Sequence, residues 1–202
     1  MICAYRFAYL LLVLSCTVFA VGCWRPAGFG IGGRYLDARL EISNPGGNLN
    51  LAITNLEYVV RRDPFYKDSL TLLGRAYYKG GRYRDAFQIL KRALAINPQD
   101  EIAWIALGLT QLSLGDDQRG LETFKGGISL LLRVSRDGYK DIEFWDKSGL
   151  VRSAARRAVL FASKGLGEKQ KIIRMGEILL FRIDNELWEG RREQELDEKQ
   201  VD

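Results

Sequence analysis

The chain has 202 residues, 47% apolar and 27% charged, an ordinary balance for one folded domain or a short solenoid. Its 30 Lys and Arg against 25 Asp and Glu make it mildly basic, far from the dense cationic face of a nucleic-acid binder, so no nucleic-acid partner is expected. Histidine is absent, which removes the commonest general base and the commonest metal ligand together.

The first 22 residues carry one positive charge, Arg6, and then an apolar run from Phe7 to Ala20. That run is short and weakly flanked for a membrane span and reads as a secretory signal over 1–22. All three cysteines, Cys3, Cys16 and Cys23, fall at this end, so no disulfide framework or cysteine metal site is expected in the folded part. The stretch Ala20-Val21-Gly22-Cys23 resembles the lipobox of bacterial lipoproteins, with Ala20 where that family prefers Leu. The resemblance implies cleavage before Cys23 and acylation of Cys23. It also implies a lipid anchor that holds the protein to a bacterial envelope membrane, facing the periplasm. Trp24 stands after the cysteine, where an Asp would signal inner-membrane retention, so the outer membrane is favoured.

Residues 23–33 are glycine-rich, and Gly28, Gly30 and Gly33 have the spacing of a dinucleotide-binding loop. That loop needs a strand before it and a βαβ unit around it, and helical patterns follow instead. The expectation here is a flexible tether.

Residues 34–66 read as a degenerate N-terminal repeat or cap. Its front half, Arg34 to Ser43, is short and ends at Asn44-Pro45-Gly46-Gly47; its back half is a helix from Asn48 to Arg62, with Asn48 as N-cap. The next stretch, Lys67 to Pro98, shows apolar residues at helical spacing in two bursts, Leu70 to Tyr78 and Ala86 to Ile96. The Gly80-Gly81 turn divides them, which predicts an antiparallel helix pair. Gly74 and Ala86 are small enough for close approach, Tyr77 and Leu90 fill the space beside them, and Pro98 cannot continue the second helix.

Leu73, Gly74, Tyr77, Ala86, Ala93 and Pro98 resemble the pattern of the tetratricopeptide repeat, whose period is about 34 residues. Run backward, the register puts Ala52, Leu56 and Pro64 on family positions. Run forward, it places Trp104, Leu107, Gly108, Gly120, Phe124 and Gly127, with Leu114 to Asp117 as the turn. Leu132 stands where Pro would be, so the second helix is expected to run on to Arg133. Two repeats are thus expected over 67–134.

A polar loop is expected over 135–141, then a helix from Ile142 to Ser163 with a narrow face of Ala154, Ala155, Ala158 and Ala162, ended by Gly165 and Gly167. Glu168 to about Glu195 carries an apolar stripe, Ile172, Leu179, Ile183 and Leu187, joined by Ile173, Leu180 and Trp188. This C-terminal pair over 135–195 is expected to cap the stack. The stretch from Asp184 on, rich in acids, reads as a solvated helix end that frays, with 196–202 as an acidic tail. Between Arg133 and Arg174 cations outnumber acids, a stretch open to two readings: a solvated face, which is favoured, or a surface for anionic headgroups or an acidic partner.

The expected fold is all-α, a short right-handed stack of helical hairpins closed by a long C-terminal helix pair. There is no Ser/His/Asp or Cys/His set, no phosphate-cradling loop with its Lys and no paired metal ligands, so no catalytic residue, metal or cofactor is assigned. By resemblance to the family, the first helix of each repeat lines a concave partner-binding face. That assigns Asp68, Thr71, Arg75, Tyr78 and Lys79 in one repeat, and Ile102, Ile105, Leu109, Leu112 and Ser113 in the next. The first set suits an extended peptide. The apolar second set is either an exposed groove for a partner or core under the C-terminal helix, the latter slightly favoured because such patches are rarely left open. The function so implied is a lipid-anchored scaffold that binds another envelope protein during assembly of a complex. The alternative is an obligate structural subunit of a secretion, pilus or export machine.

Overall fold

The computed structural model describes residues 30–44, 46–137 and 145–201. Among these residues there are helices and turns and no strands. Helices α1 (Ile31–Ser43) and α2 (Leu49–Arg62) form the first hairpin, α3 (Ser69–Lys79) and α4 (Tyr83–Ile96) the second, α5 (Glu101–Leu114) and α6 (Asp117–Asp137) the third. The fourth pairs α7 (Leu150–Ser163) with α8 (Lys169–Val201) through a 3₁₀ turn at Leu166–Glu168. The fold is the expected all-α stack of hairpins. At 33 residues α8 is roughly 50 Å long, enough to cross several repeats. It packs not only on α7 but on α5 and α1.

Local sequence explains most boundaries. The Asn48 side chain accepts from Leu51 N at 3.0 Å and caps α2, and Asp100 does the same for α5 from Ala103 N at 2.9 Å. Gly115, at φ 88°, takes the left-handed conformation that ends α5. Pro98 lies just past α4, and its carbonyl accepts from Trp104 Nε1 at 2.9 Å.

Small residues set the spacing within each pair. A Cβ on Gly74 would lie 2.5 Å from Leu90 Cγ, and one period on, a Cβ on Gly108 would lie 2.6 Å from Phe124 N. The same contact therefore recurs in successive repeats, with Leu90 and Phe124 both fully buried. Gly120 and Gly127 complete the α5–α6 contact, each with backbone of α5 closer than a side chain would allow. One apolar core runs from Tyr35 in α1 to Leu187 in α8.

Four boundaries differ from the sequence reading. Helix α1 begins at Ile31, inside the stretch read as tether, because Ile31 packs on the core and Gly32 lets the chain pass close to the Tyr66 hydroxyl. The α6 helix continues to Asp137, through the start of the expected loop. The next helix starts at Leu150 rather than Ile142. There the buried Asp146 carboxylate accepts from Val151 N at 2.8 Å and Arg152 N at 3.0 Å, and Gly149 turns the chain at φ 69°. Asp184 is not part of a solvated end but buried in the core. The signal and lipobox with Cys23, residues 23–29 of the tether, residues 138–144, the Trp188 side chain and the side chains of the acidic tail lie outside the described residues.

Candidate partner-binding face

The concave positions of α3 and α5 face α8. Arg75 and Asp184, one on α3 and one on α8, form a bidentate pair, with Nη1–Oδ1 at 2.9 Å and Nη2–Oδ2 at 2.5 Å. Their side chains are only 4% and 6% exposed, so this is a buried ion pair across the groove. Burial alone would lower the Arg75 pKa, but the charge and hydrogen bonds of Asp184 outweigh it and hold the guanidinium above its ordinary value. Among the described residues the Arg75 Nε has no hydrogen-bond partner. Two turns back along α8, Glu177 accepts from the Tyr78 hydroxyl at 2.9 Å.

Between these polar ties α8 packs into the groove by being thin. A Cβ on Gly176 would sit 2.6 Å from Leu109 Cδ2 and 2.8 Å from Phe124 Cε2. Ile102, Ile105, Leu109 and Leu112 are all buried, as are Ile172, Leu179 and Ile183 from α8. The apolar half of the concave face is therefore core rather than an open groove. An extended peptide cannot lie along it while α8 is in place.

The polar half is also largely engaged within the chain. Asp68 accepts from the Tyr35 hydroxyl and faces Arg39 at 3.5 Å, while Thr71 Oγ1 donates to Asp100 Oδ2 at 2.6 Å. Lys79 Nζ donates to the Ile42 carbonyl at 2.5 Å, and burial followed by the nearby Arg75 charge pushes its pKa down.

Among the described residues, two openings lie beside α8. A cleft of about 490 Å³ borders Asp68 and Thr71 and is rimmed by Phe65, Ile96, Lys67 and Asp100. Phe65 is 71% exposed and Ile96 46%, so this cleft has exposed apolar side chains beside the polar Asp68, Thr71 and Asp100, with buried Leu70, Ala93 and Leu187 also in its lining. A smaller one of about 330 Å³ lies over Tyr78 and Lys79, bounded by Tyr83 and Phe181. Phe65 and Ile96 escaped the family positions because Phe65 lies in the turn between α2 and α3 and Ile96 at the end of α4, outside the first helix of a repeat. Asp184 did carry a signal: it falls four residues after Leu180 and three before Leu187, on the apolar face of α8.

The buried tyrosines make the protein sensitive to alkali. Burial first, then Asp68 for Tyr35 and Glu177 for Tyr78, raises both phenols above their ordinary value. Burial and the hydrogen bond to Glu57 push Tyr77 up to about 12. A raised folded pKa gives stability that is complete below the unfolded value of about 10 and is lost as pH climbs through the folded value. Unfolding free energy should therefore fall between about pH 10 and 12. Phenolate absorbance should rise in two phases, the later one coincident with loss of helix by circular dichroism. A single phase with helix intact would show these hydroxyls open to solvent.

Among the described residues no group of three His, Cys, Asp or Glu could hold a metal ion. The tetratricopeptide repeat family profile matches residues 46–101, which span α2, α3, α4 and the start of α5. No curated protein matches the chain. With that match on α2 to α4 and the glycine contact of the second pair repeated in the third, the chain is a tetratricopeptide-repeat-containing protein.

Proposed function

We propose that this protein is a lipid-anchored scaffold, acylated at Cys23 and facing the periplasm of a bacterial envelope, with the outer membrane favoured. It would hold another envelope protein during assembly of a larger complex. The anchor rests on Ala20-Val21-Gly22-Cys23, and the scaffold role on the repeat, a module that serves protein–protein contact. The observation that carries the reading furthest is the cleft beside Asp68 and Thr71, where Phe65 and Ile96 stand exposed over polar groups while the main groove is closed by α8. An exposed aromatic beside hydrogen-bonding groups is what an interface centre requires.

The test is a cross-linking pull-down from membranes of the native host, comparing the wild type with Phe65→Glu plus Ile96→Glu. Both side chains are exposed, so the variant should keep its circular dichroism. A partner captured by the wild type and lost in the variant supports the cleft. A partner retained by both, or none with either, overturns it. Cys23→Ser should move the protein out of the membrane fraction; retention there would remove the lipid anchor from the reading.

A second reading, an obligate subunit of a secretion, pilus or export machine, draws on Leu36, Leu40 and Leu51. These three leucines are about half exposed on the first hairpin, the end of the stack where another unit could pack. That reading requires the protein to self-associate when made alone, and Leu36→Glu plus Leu40→Glu to restore a monomer in sedimentation.

A further inference from the structure

The fourth hairpin concentrates charge. From Leu150 to Arg174 there are seven basic residues and one acidic, so this short stretch carries more positive charge than the +5 of the whole chain. Three of the seven face carboxylates: Arg152 pairs with Asp146 at 2.9 Å, Lys169 with Asp117 at 2.5 Å and Lys171 with Glu168 at 2.8 Å. Arg156, Arg157 and Lys164 make no ion pair among the described residues.

Helix α7 itself contains no acid. Its inner face is Val151 and four alanines, Ala154, Ala155, Ala158 and Ala162, all buried. Because the inner face is committed to α8 and α6, the outer face is held outward by the fold. That outer face presents Arg156, Arg157 and Lys164 with Leu160 among them, 54% exposed, and Val159 beside it, 38% exposed.

We infer that the outer face of α7 docks on an anionic lipid bilayer, with Arg156, Arg157 and Lys164 at headgroup phosphates and Leu160 entering the acyl boundary. Three features select a bilayer over other acidic partners. The cations flank apolar side chains on one helix face, the arrangement of an interfacial helix. Neither cleft beside α8 is lined by a residue of α7, so the walls that would hold an extended peptide lie elsewhere. The ring of α7, Phe161, is partly buried against the core with Lys164 Nζ 5.4 Å from the ring centroid, so it offers no open platform on which the bases of a single-stranded nucleic acid would stack. This surface is distinct from the partner cleft and does not depend on the anchor at Cys23. Where an anchor is present, the docked helix would fix how the repeats stand relative to the membrane.

The experiment uses the full chain with Cys3, Cys16 and Cys23 replaced by Ser, and with Leu160→Cys carrying an environment-sensitive nitrobenzoxadiazole label. Vesicles are phosphatidylcholine alone or phosphatidylcholine with phosphatidylglycerol. Flotation reports attachment by any route, while the label reports α7 alone, so protein that floats without a label response is held by the N-terminal segment and not by α7. The label should shift to the blue on phosphatidylglycerol vesicles only, and the shift should fade as salt is raised. In Arg156→Gln plus Arg157→Gln the docked-to-free ratio should fall roughly thirtyfold, about fivefold for each cation removed. The same change at Arg84→Gln plus Arg92→Gln, exposed on α4, should leave it unchanged. An equal response on both vesicle types, no response on either, or equal loss in the α4 variant overturns the proposal. So does a label that ignores vesicles but responds to an acidic protein from the host.

Discussion

Asp184→Ala is expected to cost about 3–5 kcal/mol of stability, because it leaves Arg75 charged and buried with its partner removed. The guanidinium cannot escape the cost by losing its proton, since arginine stays ionised in proteins. It can be relieved only by water entering the groove or by α8 lifting away. The double variant Arg75→Met plus Asp184→Leu should recover most of the loss, since an apolar pair of similar volume avoids desolvating two charges. Urea unfolding of the two variants and the wild type checks both statements. A single variant within about 1 kcal/mol of the wild type would mean that α8 does not seat Asp184 on Arg75 in solution. For the same reason, Arg75→Glu with Leu109→Glu is a poor probe of partner binding. It would place two acids in the core beside Asp184 and unfold the protein first.

Gly108→Val should be comparably damaging, by about 3 kcal/mol, through a different cause. The added Cβ alone would lie 2.6 to 2.7 Å from the backbone N, Cα and Cβ of Phe124, atoms that no rotamer change can move. Helices α5 and α6 would have to separate, and Gly120 and Gly127, which hold the same contact, would lose their neighbours. Gly126, on the same α6, has nothing within 4 Å of its added Cβ. There Gly126→Ala should stabilise by about 0.5–1 kcal/mol, because alanine restricts the unfolded chain and suits a helix better. Opposite signs from two glycine substitutions in one hairpin, read by thermal unfolding, would confirm the close approach. Equal small effects would refute it.

The repeats were legible because their spacing is written in residues with one physical use. Gly74 and Gly108 are small where Leu90 and Phe124 need room, and Asn48 and Asp100 stand at helix starts where a side-chain oxygen can cap. These are local or periodic signals. The starts of α1 and α7 were missed because tertiary contacts override composition there: a glycine-rich stretch becomes helical when Ile31 finds the core, and the buried Asp146 carboxylate caps the helix that begins at Leu150.

The candidate site was only half legible. The family positions gave the right faces of α3 and α5, but what covers them depends on the chain beyond 169, whose acids suggested solvent. Position 184 is acidic because Arg75 is opposite, a relation that spans 109 residues and has no periodicity to reveal it. Phe65 and Ile96 are visible only once the hairpins are stacked and α8 is placed.

The tie between Arg75 and Asp184 also sets an order of events during synthesis. The first three hairpins are complete in sequence well before Asp184 exists, and domains fold as they emerge. Through that interval Ile102, Ile105, Leu109 and Leu112 have no lid, and Arg75 lacks the carboxylate that it pairs with in the finished fold. The growing chain therefore presents, for a time set by the rate of synthesis, a groove that the finished protein hides.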